Sequence, residues 1–184
     1  MANWTMARKR RFTHGGYVYH ACNRGSRKGE LFESYGDYEA YLKLMEVARG
    51  KFAMRVIAYC LMVNHLHFLL YPRDSTSLVR FMHWLTTSHA SRFHRIRGSV
   101  GTGAVYQSRY VSRPISEDRR FFTALRYVEQ NAFAAGLVSR AEEWRWGSAW
   151  NGSPSSTFVI DESPLPRPSN WLEILNDPLT VRRK

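Results

Sequence analysis

The spacing of hydrophobic residues along the chain predicts alternating strands and helices. Residues 17–22 are rich in β-forming side chains and end at a turn-forming Asn-Arg-Gly sequence, which predicts a first strand. From residue 38 onward, apolar side chains recur at intervals of three and four, with Asp37 as the predicted N-cap and Gly50 as the end. The chain is therefore expected to open with a strand followed by a helix.

A long apolar segment over residues 52–71 contains a single polar break. It is too long for one ordinary strand, so it predicts a hairpin formed by the second and third strands. Either Ser75 or Ser77 is then expected to cap a second long helix, because an apolar stripe with helical spacing continues to Ile96.

Residues 105–115 predict a fourth strand, and Ser116 is the predicted cap of a third helix over residues 117–133. The resulting order β-α-β-β-α-β is typical of the ferredoxin-like arrangement, here followed by an additional helix. We therefore predict an α+β fold, a ferredoxin-like βαββαβ sandwich with one more helix at its C-terminal end.

The chain is expected to form one domain, since 184 residues suffice for one sizeable core. Residues 1–11 form a predicted basic N-terminal arm, and residues 12–151 the domain itself. After residue 151 the composition shifts to Pro, Ser and Asn, which predicts an extended tail over residues 152–184 that packs on the domain or on DNA.

The net charge of the chain indicates the kind of partner it binds. The chain has 27 Lys and Arg against 15 Asp and Glu, a formal net charge of +12, which attracts polyanions and indicates nucleic acid. No apolar run is long enough to cross a membrane, and the basic start lacks a secretory apolar segment. We therefore expect a cytoplasmic protein without a membrane partner, in which Cys22 and Cys60 are buried free thiols.

The sharpest chemical motif is the pair His65 and His67. Alternate residues of a strand point to the same face, so both imidazoles are expected to point the same way and could share a metal ion. On spacing alone, two solvent-facing or hydrogen-bonded histidines are the commoner outcome. The apolar hairpin around them favours the metal site, because polar rings in such surroundings have a desolvation cost unless a ligand binds them.

A second motif lies on the predicted third helix. Tyr127 and Asn131 are one turn apart and flank the apolar stripe, so both side chains project from the same side and could serve one site. The alternative is a boundary tyrosine that packs its ring and exposes its hydroxyl, which is the usual role of such a residue. Trp144, Trp146 and Trp150 are predicted to be core residues.

Four segments, taken together, resemble the REP-associated tyrosine transposases, which are relatives of the single-tyrosine HUH transposases of small insertion sequences. The segments are residues 62–70 (MVNHLHFLL), 103–110 (GAVYQSRY), 126–138 (RYVEQN and, further on, AGLV) and 144–150 (WRWGSAW). The resemblance covers residues 12–151 in the same order. This chain departs from the family pattern at Val63, where Pro is usual, and at residues 131–134, where Asn-Pro-Val-Arg is usual.

The resemblance implies an HUH transposase domain whose extra helix is the catalytic helix. His65 and His67 would bind Mg²⁺ or Mn²⁺, Asn131 would be a third ligand, and Tyr127 would be the nucleophile that forms a 5′-phosphotyrosine link. The substrate would be single-stranded DNA with a palindromic hairpin, the REP element. The REP-associated branch also implies a monomer, and the tail could cover the sheet edge that a dimer would pair.

Basic and aromatic residues near the proposed site suit contacts to a DNA backbone and to unstacked bases. The predicted DNA-binding residues are Arg8, Arg10, Arg11, Arg24, Arg92, Arg95, Arg97, Gln107, Arg109, Tyr110 and Arg113. For the three arginines of the second helix, a merely solvated helix face is an equal alternative. Two other functions stay open at this point: a protein that binds REP hairpins without cutting them, and an RNA-directed protein.

Overall fold

A computed structural model describes residues 13–152, Phe158 and residues 160–180. Its four strands form one antiparallel sheet in the order β2-β3-β1-β4. The strands are β1 at Val18–Arg24, β2 at Met54–Met62, β3 at His65–Pro72 and β4 at Val111–Ile115. This order confirms the predicted ferredoxin-like arrangement. The predicted arm, with Arg8, Arg10 and Arg11, lies outside the described residues.

Helices cover both faces of the sheet. The main helices are α1 at Tyr35–Phe52, α2 at Ser77–Arg97, α3 at Asp118–Glu129, α4 at Asn131–Ala134 and α5 at Trp171–Asn176. One core contains Tyr41 of α1 and Phe81 of α2, and the other contains Leu125 of α3 and Leu175 of α5. Because strand side chains alternate, β3 sends Phe68 into the first core and Leu69 into the second.

The first helix begins earlier and ends later than its sequence predicts. Ser34 is the N-cap, and its hydroxyl accepts a bond from the Asp37 amide while the Asp37 carboxylate accepts from the Ser34 amide, a complete capping box. Gly50 lies inside the helix. The end comes at Ala53, whose φ of 45° places it in the left-handed region.

The start of α2 is fixed by a carboxylate and not by the predicted serines. Thr76 occupies the N-cap position without a side-chain cap of its own. Asp74 accepts hydrogen bonds from the backbone amides of Thr76 and Ser77 and from both of their hydroxyls. These four bonds lower the pKa of the Asp74 carboxyl below its usual value, because each favours the charged form.

The fourth strand is shorter than predicted. Residues 105–110 do not continue β4 along the sheet; Tyr106 makes only an isolated bridge to Gly25, and the Gln107 amide donates to the Arg24 carbonyl at 2.9 Å. The predicted third helix is also interrupted. Gln130, with φ −89° and ψ 3°, separates α3 from α4, so Asn131 begins a new helical turn.

The C-terminal segment packs on the domain, as one of the two predicted outcomes has it, and it also contains the short helix α5. Phe158 is buried in the core beneath α1 and α2, and the Asp161 amide donates to the Val56 carbonyl at 2.9 Å. Further on, α5 packs Trp171 and Leu175 into the core beneath α3. The apolar residues scattered in this segment therefore anchor it across the edge of the sheet.

The predicted roles of the cysteines and of two tryptophans agree with the fold. Cys60 is buried and Cys22 half-buried, the two do not form a disulfide, and burial raises the pKa of the Cys60 thiol to about 12. Trp146 is buried in the core, and Trp144 donates its indole N–H to the Leu61 carbonyl at 3.1 Å. None of the described helices is long and apolar enough to cross a membrane.

Candidate active site

The two predicted histidines lie side by side on one face of β3. Their ring centroids are 5.1 Å apart. In the pairing of β1 with β3, Arg24 lies opposite His65 and Cys22 lies opposite His67. Paired residues of adjacent strands share a face, so the Arg24 side chain lies on the same face as the histidines. This is the face that α3 covers.

A third histidine, His20 of β1, completes the group and was missed by the sequence analysis. A hydrogen bond of 3.1 Å joins His20 Nε2 to His67 Nδ1, and the two rings stack with centroids 5.3 Å apart. Desolvation and, secondarily, the Arg113 guanidinium lower the pKa of His20 to about 4. His20 is therefore a neutral imidazole at physiological pH.

Tyr127 meets this histidine group from α3. The tyrosine ring lies edge-on to His67, with centroids 5.2 Å apart, and edge-on to His20 at 5.5 Å. The position follows from the packing of α3, whose Leu125 and Val128 are fully buried against the sheet. The predicted nucleophile and the predicted metal-binding pair are thus brought together within one chain.

The sequence predicts that Asn131 lies on the same helix as Tyr127. In the structure that helix is interrupted at Gln130, and Asn131 is the first residue of α4. The residue is buried, and its Nδ2 donates to the Tyr127 carbonyl at 3.3 Å. That bond turns the amide nitrogen toward α3 and leaves the carbonyl oxygen Oδ1 as the atom suited to a hard cation.

The donor set around the histidines fits a divalent metal. Asn64 Oδ1 can only accept, so the 2.8 Å bond to His65 Nδ1 places the ring proton there and leaves the lone pair on Nε2. His67 Nδ1 shares a hydrogen bond with His20 Nε2, and the Nε2 atoms of both His65 and His67 are buried. Such hydrogen bonds to Nδ1 are typical of metal-ligating histidines.

The ligand set would not consist of ionisable side chains alone. Across the described ranges, no group of three His, Cys, Asp or Glu side chains is arranged to hold a metal ion. His20 therefore does not add a third imidazole ligand to His65 and His67. Any further ligands would be amide oxygens, water or substrate, which are the ligands that Mg²⁺ and Mn²⁺ take readily.

Three predicted DNA-binding residues line a cleft of about 290 Å³ beside the histidines, namely Arg24, Gln107 and Arg109. Arg113 is close enough to His20 to depress its pKa, so it also belongs to this face. The cleft therefore has cationic and hydrogen-bonding groups next to the imidazoles, which suits a phosphate.

The other predicted contacts lie elsewhere. Arg92, Arg95 and Arg97 belong to α2, on the opposite face of the sheet from the histidines. Arg97 is engaged in ion pairs with Glu33 at 2.9 Å and Asp37 at 3.0 Å, which favours a structural role. The Tyr110 side chain is buried in the core beneath α1 and α2 and is not presented as an exposed stacking platform beside the histidine pair.

Two solved structures are similar to this chain. A structure of a REP-associated tyrosine transposase bound to a REP hairpin superposes with a TM-score of 0.58 at 15% identity, covering 88% of this chain and all of that one. A transposase candidate from Deinococcus radiodurans gives a TM-score of 0.44 at 14% identity, covering 63% of this chain and 91% of that one. No curated protein matches the chain significantly.

The family assignment rests on sequence. The model of the IS200-like transposase family matches residues 14–131, which is more than half of the chain. The matched region spans all four strands and includes the histidine pair, Tyr127 and Asn131. The chain therefore belongs to the IS200-like transposase family.

Proposed function

We propose that this transposase is a metal-dependent single-stranded DNA endonuclease and strand transferase that attacks a phosphodiester with Tyr127. The observation that supports this most is the edge-on packing of the Tyr127 ring against His67, at 5.2 Å, within a single chain. A tyrosine that only packs its ring would not require imidazoles as neighbours. The alternative of a hairpin-binding protein that does not cut leaves this arrangement without a role.

In the proposed reaction, the Tyr127 hydroxyl oxygen forms a bond to phosphorus, and the bond from phosphorus to the 3′-oxygen breaks. The phenol loses its proton, and the departing 3′-oxygen gains one to become a free 3′-hydroxyl. One phosphodiester replaces another, so the reverse attack by a DNA 3′-hydroxyl can rejoin strands without ATP.

His65, His67 and Asn131 would hold Mg²⁺ or Mn²⁺, which supplies charge neutralisation at a phosphate oxygen. Asn64 and His20 orient the two imidazoles through their Nδ1 atoms. Arg24 and Arg109, which line the adjoining cleft, would bind phosphates of the strand next to the reacting one.

The substrate is proposed to be a REP-type hairpin with adjacent single-stranded DNA. The structural relative at 15% identity is bound to such a hairpin, and the net charge of +12 suits a polyanion. RNA is less favoured as a substrate. Sheets that bind single-stranded RNA present aromatic rings on which bases stack, whereas the tyrosine ring beside the histidine pair belongs to the candidate nucleophile.

The test is a cleavage assay on labelled single-stranded REP-type hairpins with flanking sequence, in Mn²⁺ or in EDTA. We expect wild type to nick the strand and form a covalent adduct that survives a denaturing gel. Tyr127→Phe should lose the adduct and reduce nicking by about a thousandfold or more, since it removes the nucleophile. A His65→Ala/His67→Ala double variant and EDTA should also abolish nicking.

Tyr17→Phe is the matched control, because Tyr17 is an exposed tyrosine outside the site. It should nick as wild type does. Tight hairpin binding without nicking in any flanking sequence would reject the nuclease and favour the protein that only binds hairpins.

A further inference from the structure

A second, larger cavity adjoins the active-site cleft. It is a groove of about 1130 Å³ between the outer side of α2 and the segment of residues 104–110. The α2 wall consists of residues at helical spacing, which place a continuous stripe along the groove. Among them are Thr76, Val79, His83, Thr87, Ala90 and His94. From Thr76 to His94 this stripe is about 27 Å long.

The groove and the active-site cleft meet at a shared wall. Asn23, Gln107, Ser108 and Arg109 line both cavities. The wall is held in place because the Gln107 amide bonds to the Arg24 carbonyl and the Ser26 amide bonds to the Val105 carbonyl at 2.8 Å. The cleft and the groove are therefore neighbours that meet at residues 107–109.

The chemistry of the groove suits an anion with exposed polar edges. No described residue that lines it is acidic, whereas Arg80 and Arg109 bring positive charge. Hydroxyls such as that of Thr87 and imidazoles such as that of His83 add hydrogen-bonding groups along the α2 wall. An elongated, basic groove with many donors is typical of sites that follow a single-stranded nucleic acid backbone.

We propose that this groove binds the single-stranded DNA that flanks the cleaved phosphate, after the strand has left the active-site cleft. The inference rests on the proposed function for its substrate, and it adds a location: the outer stripe of α2 and residues 104–110. The duplex stem of the hairpin is assigned elsewhere, since the groove is shared with the cleft in which a single strand is to be cut.

The proposal is tested by binding in EDTA, where no cleavage occurs. Two labelled REP-type hairpins are compared. The blunt hairpin ends at the base of its stem, and the flanked hairpin continues into a single strand of about 4 to 16 nucleotides. Thr87→Glu should weaken binding of the flanked hairpin by about three- to tenfold, and Thr87→Lys should strengthen it by a similar factor. Thr87→Gln should have little effect, and the blunt hairpin should bind all variants equally.

Val47→Glu is the matched control, because Val47 is an exposed position of α1 outside the groove and the substitution changes net charge equally. It should leave the preference for the flanked hairpin unchanged. Thr87 is itself exposed, so its variants should melt as wild type does.

The proposal is overturned if Thr87→Glu and Val47→Glu have equal effects, or if Thr87→Glu weakens the blunt hairpin as much as the flanked one. The second outcome would place the duplex stem in the groove. Failure of the proposed function would look different: flank-dependent binding in EDTA would persist, while wild type would form no adduct in Mn²⁺.

Discussion

At the residue scale, the site is organised by the nitrogen atoms of three histidines. His65 and His67 are oriented through Nδ1, by Asn64 and His20 respectively, so that Nε2 of each is left for a metal. His20 stays neutral because burial, and then Arg113, depress its pKa to about 4. The Nε2 atom of a neutral His20 can accept a hydrogen bond from the Nδ1–H group of His67, whereas a charged His20 could only donate.

His20 should therefore control metal affinity without being a ligand. We expect His20→Phe to weaken Mn²⁺ binding by about 10- to 100-fold, the usual effect of losing a hydrogen-bond partner of a metal ligand. His20→Gln should recover part of the affinity, because its amide oxygen can accept the same bond. The measurement is a calorimetric or electron paramagnetic resonance titration with Mn²⁺.

His83→Phe, at an exposed histidine of α2, serves as the control and should bind Mn²⁺ as wild type does. Unchanged affinity in His20→Phe would mean that the contact between His20 and His67 only packs the two rings. The titration reports on the histidine group even if no DNA substrate is cut.

The residues of the site differ in how far sequence could find them. His65 and His67 are two apart on one strand, so local alternation alone predicts their shared face. His20 is 47 positions before His67 and pairs with Leu69 in the register, which puts it diagonal to His67. Only the register of β1 against β3 brings that pair together, and a single sequence does not specify it.

At the element scale, α3 is held in place by one buried carboxylate. Glu129 is two residues beyond Tyr127, and it accepts bonds from Ser148 Oγ at 2.9 Å, Arg167 Nη2 at 2.6 Å and Trp171 Nε1 at 2.6 Å. Two of these partners belong to the C-terminal segment. The helix that carries the proposed nucleophile is thus fastened to that segment.

We expect Glu129→Gln to lower the free energy of unfolding by about 2–4 kcal/mol. The substitution breaks a buried ion pair, and the new amide NH2 group would face side chains that are themselves hydrogen-bond donors. The measurement is urea denaturation followed by far-ultraviolet circular dichroism. Glu173→Gln, at an exposed position of α5, is the control and should change stability by less than about 0.5 kcal/mol. Equal stability of the two variants would contradict this role of Glu129.

At the scale of the whole molecule, the chain covers one edge of its own sheet. Along β2, the Leu61 amide donates to the Trp146 carbonyl at 2.8 Å, and the Ser148 and Asp161 amides donate to the carbonyls of Tyr59 and Val56. The Asp161 carboxylate also accepts from the Val56 amide. The opposite edge, β4, is short and contains Pro114, which lacks an N–H to offer.

We therefore expect the protein to be a monomer of 21.5 kDa in solution. Sedimentation equilibrium over a wide range of concentrations is the measurement, without DNA and again with a hairpin. A mass of twice this value without DNA would contradict the prediction and would show that β4 or a helical surface pairs two copies.

What the sequence by itself determined is local in origin. Periodicity placed the sheet hairpin and the long helices, alternation placed both histidines on one face, and composition indicated a nucleic acid partner. The sequence did not locate the shortening of β4 or the break at Gln130, because these depend on contacts with distant segments, such as the bond from Gln107 to Arg24. The start of α1 has a local cause, the capping box of Ser34 and Asp37, and choosing Asp37 as the N-cap overlooked it.

Only the tertiary structure decided how the local pieces meet. It brought His20 and Tyr127 to His67 and packed the C-terminal segment against β2 and α3. The same packing separated Arg97 and Tyr110 from the site. The physical reason is that strand register and helix packing are set by the burial of apolar faces over the whole chain, and a window of sequence contains only one side of each contact.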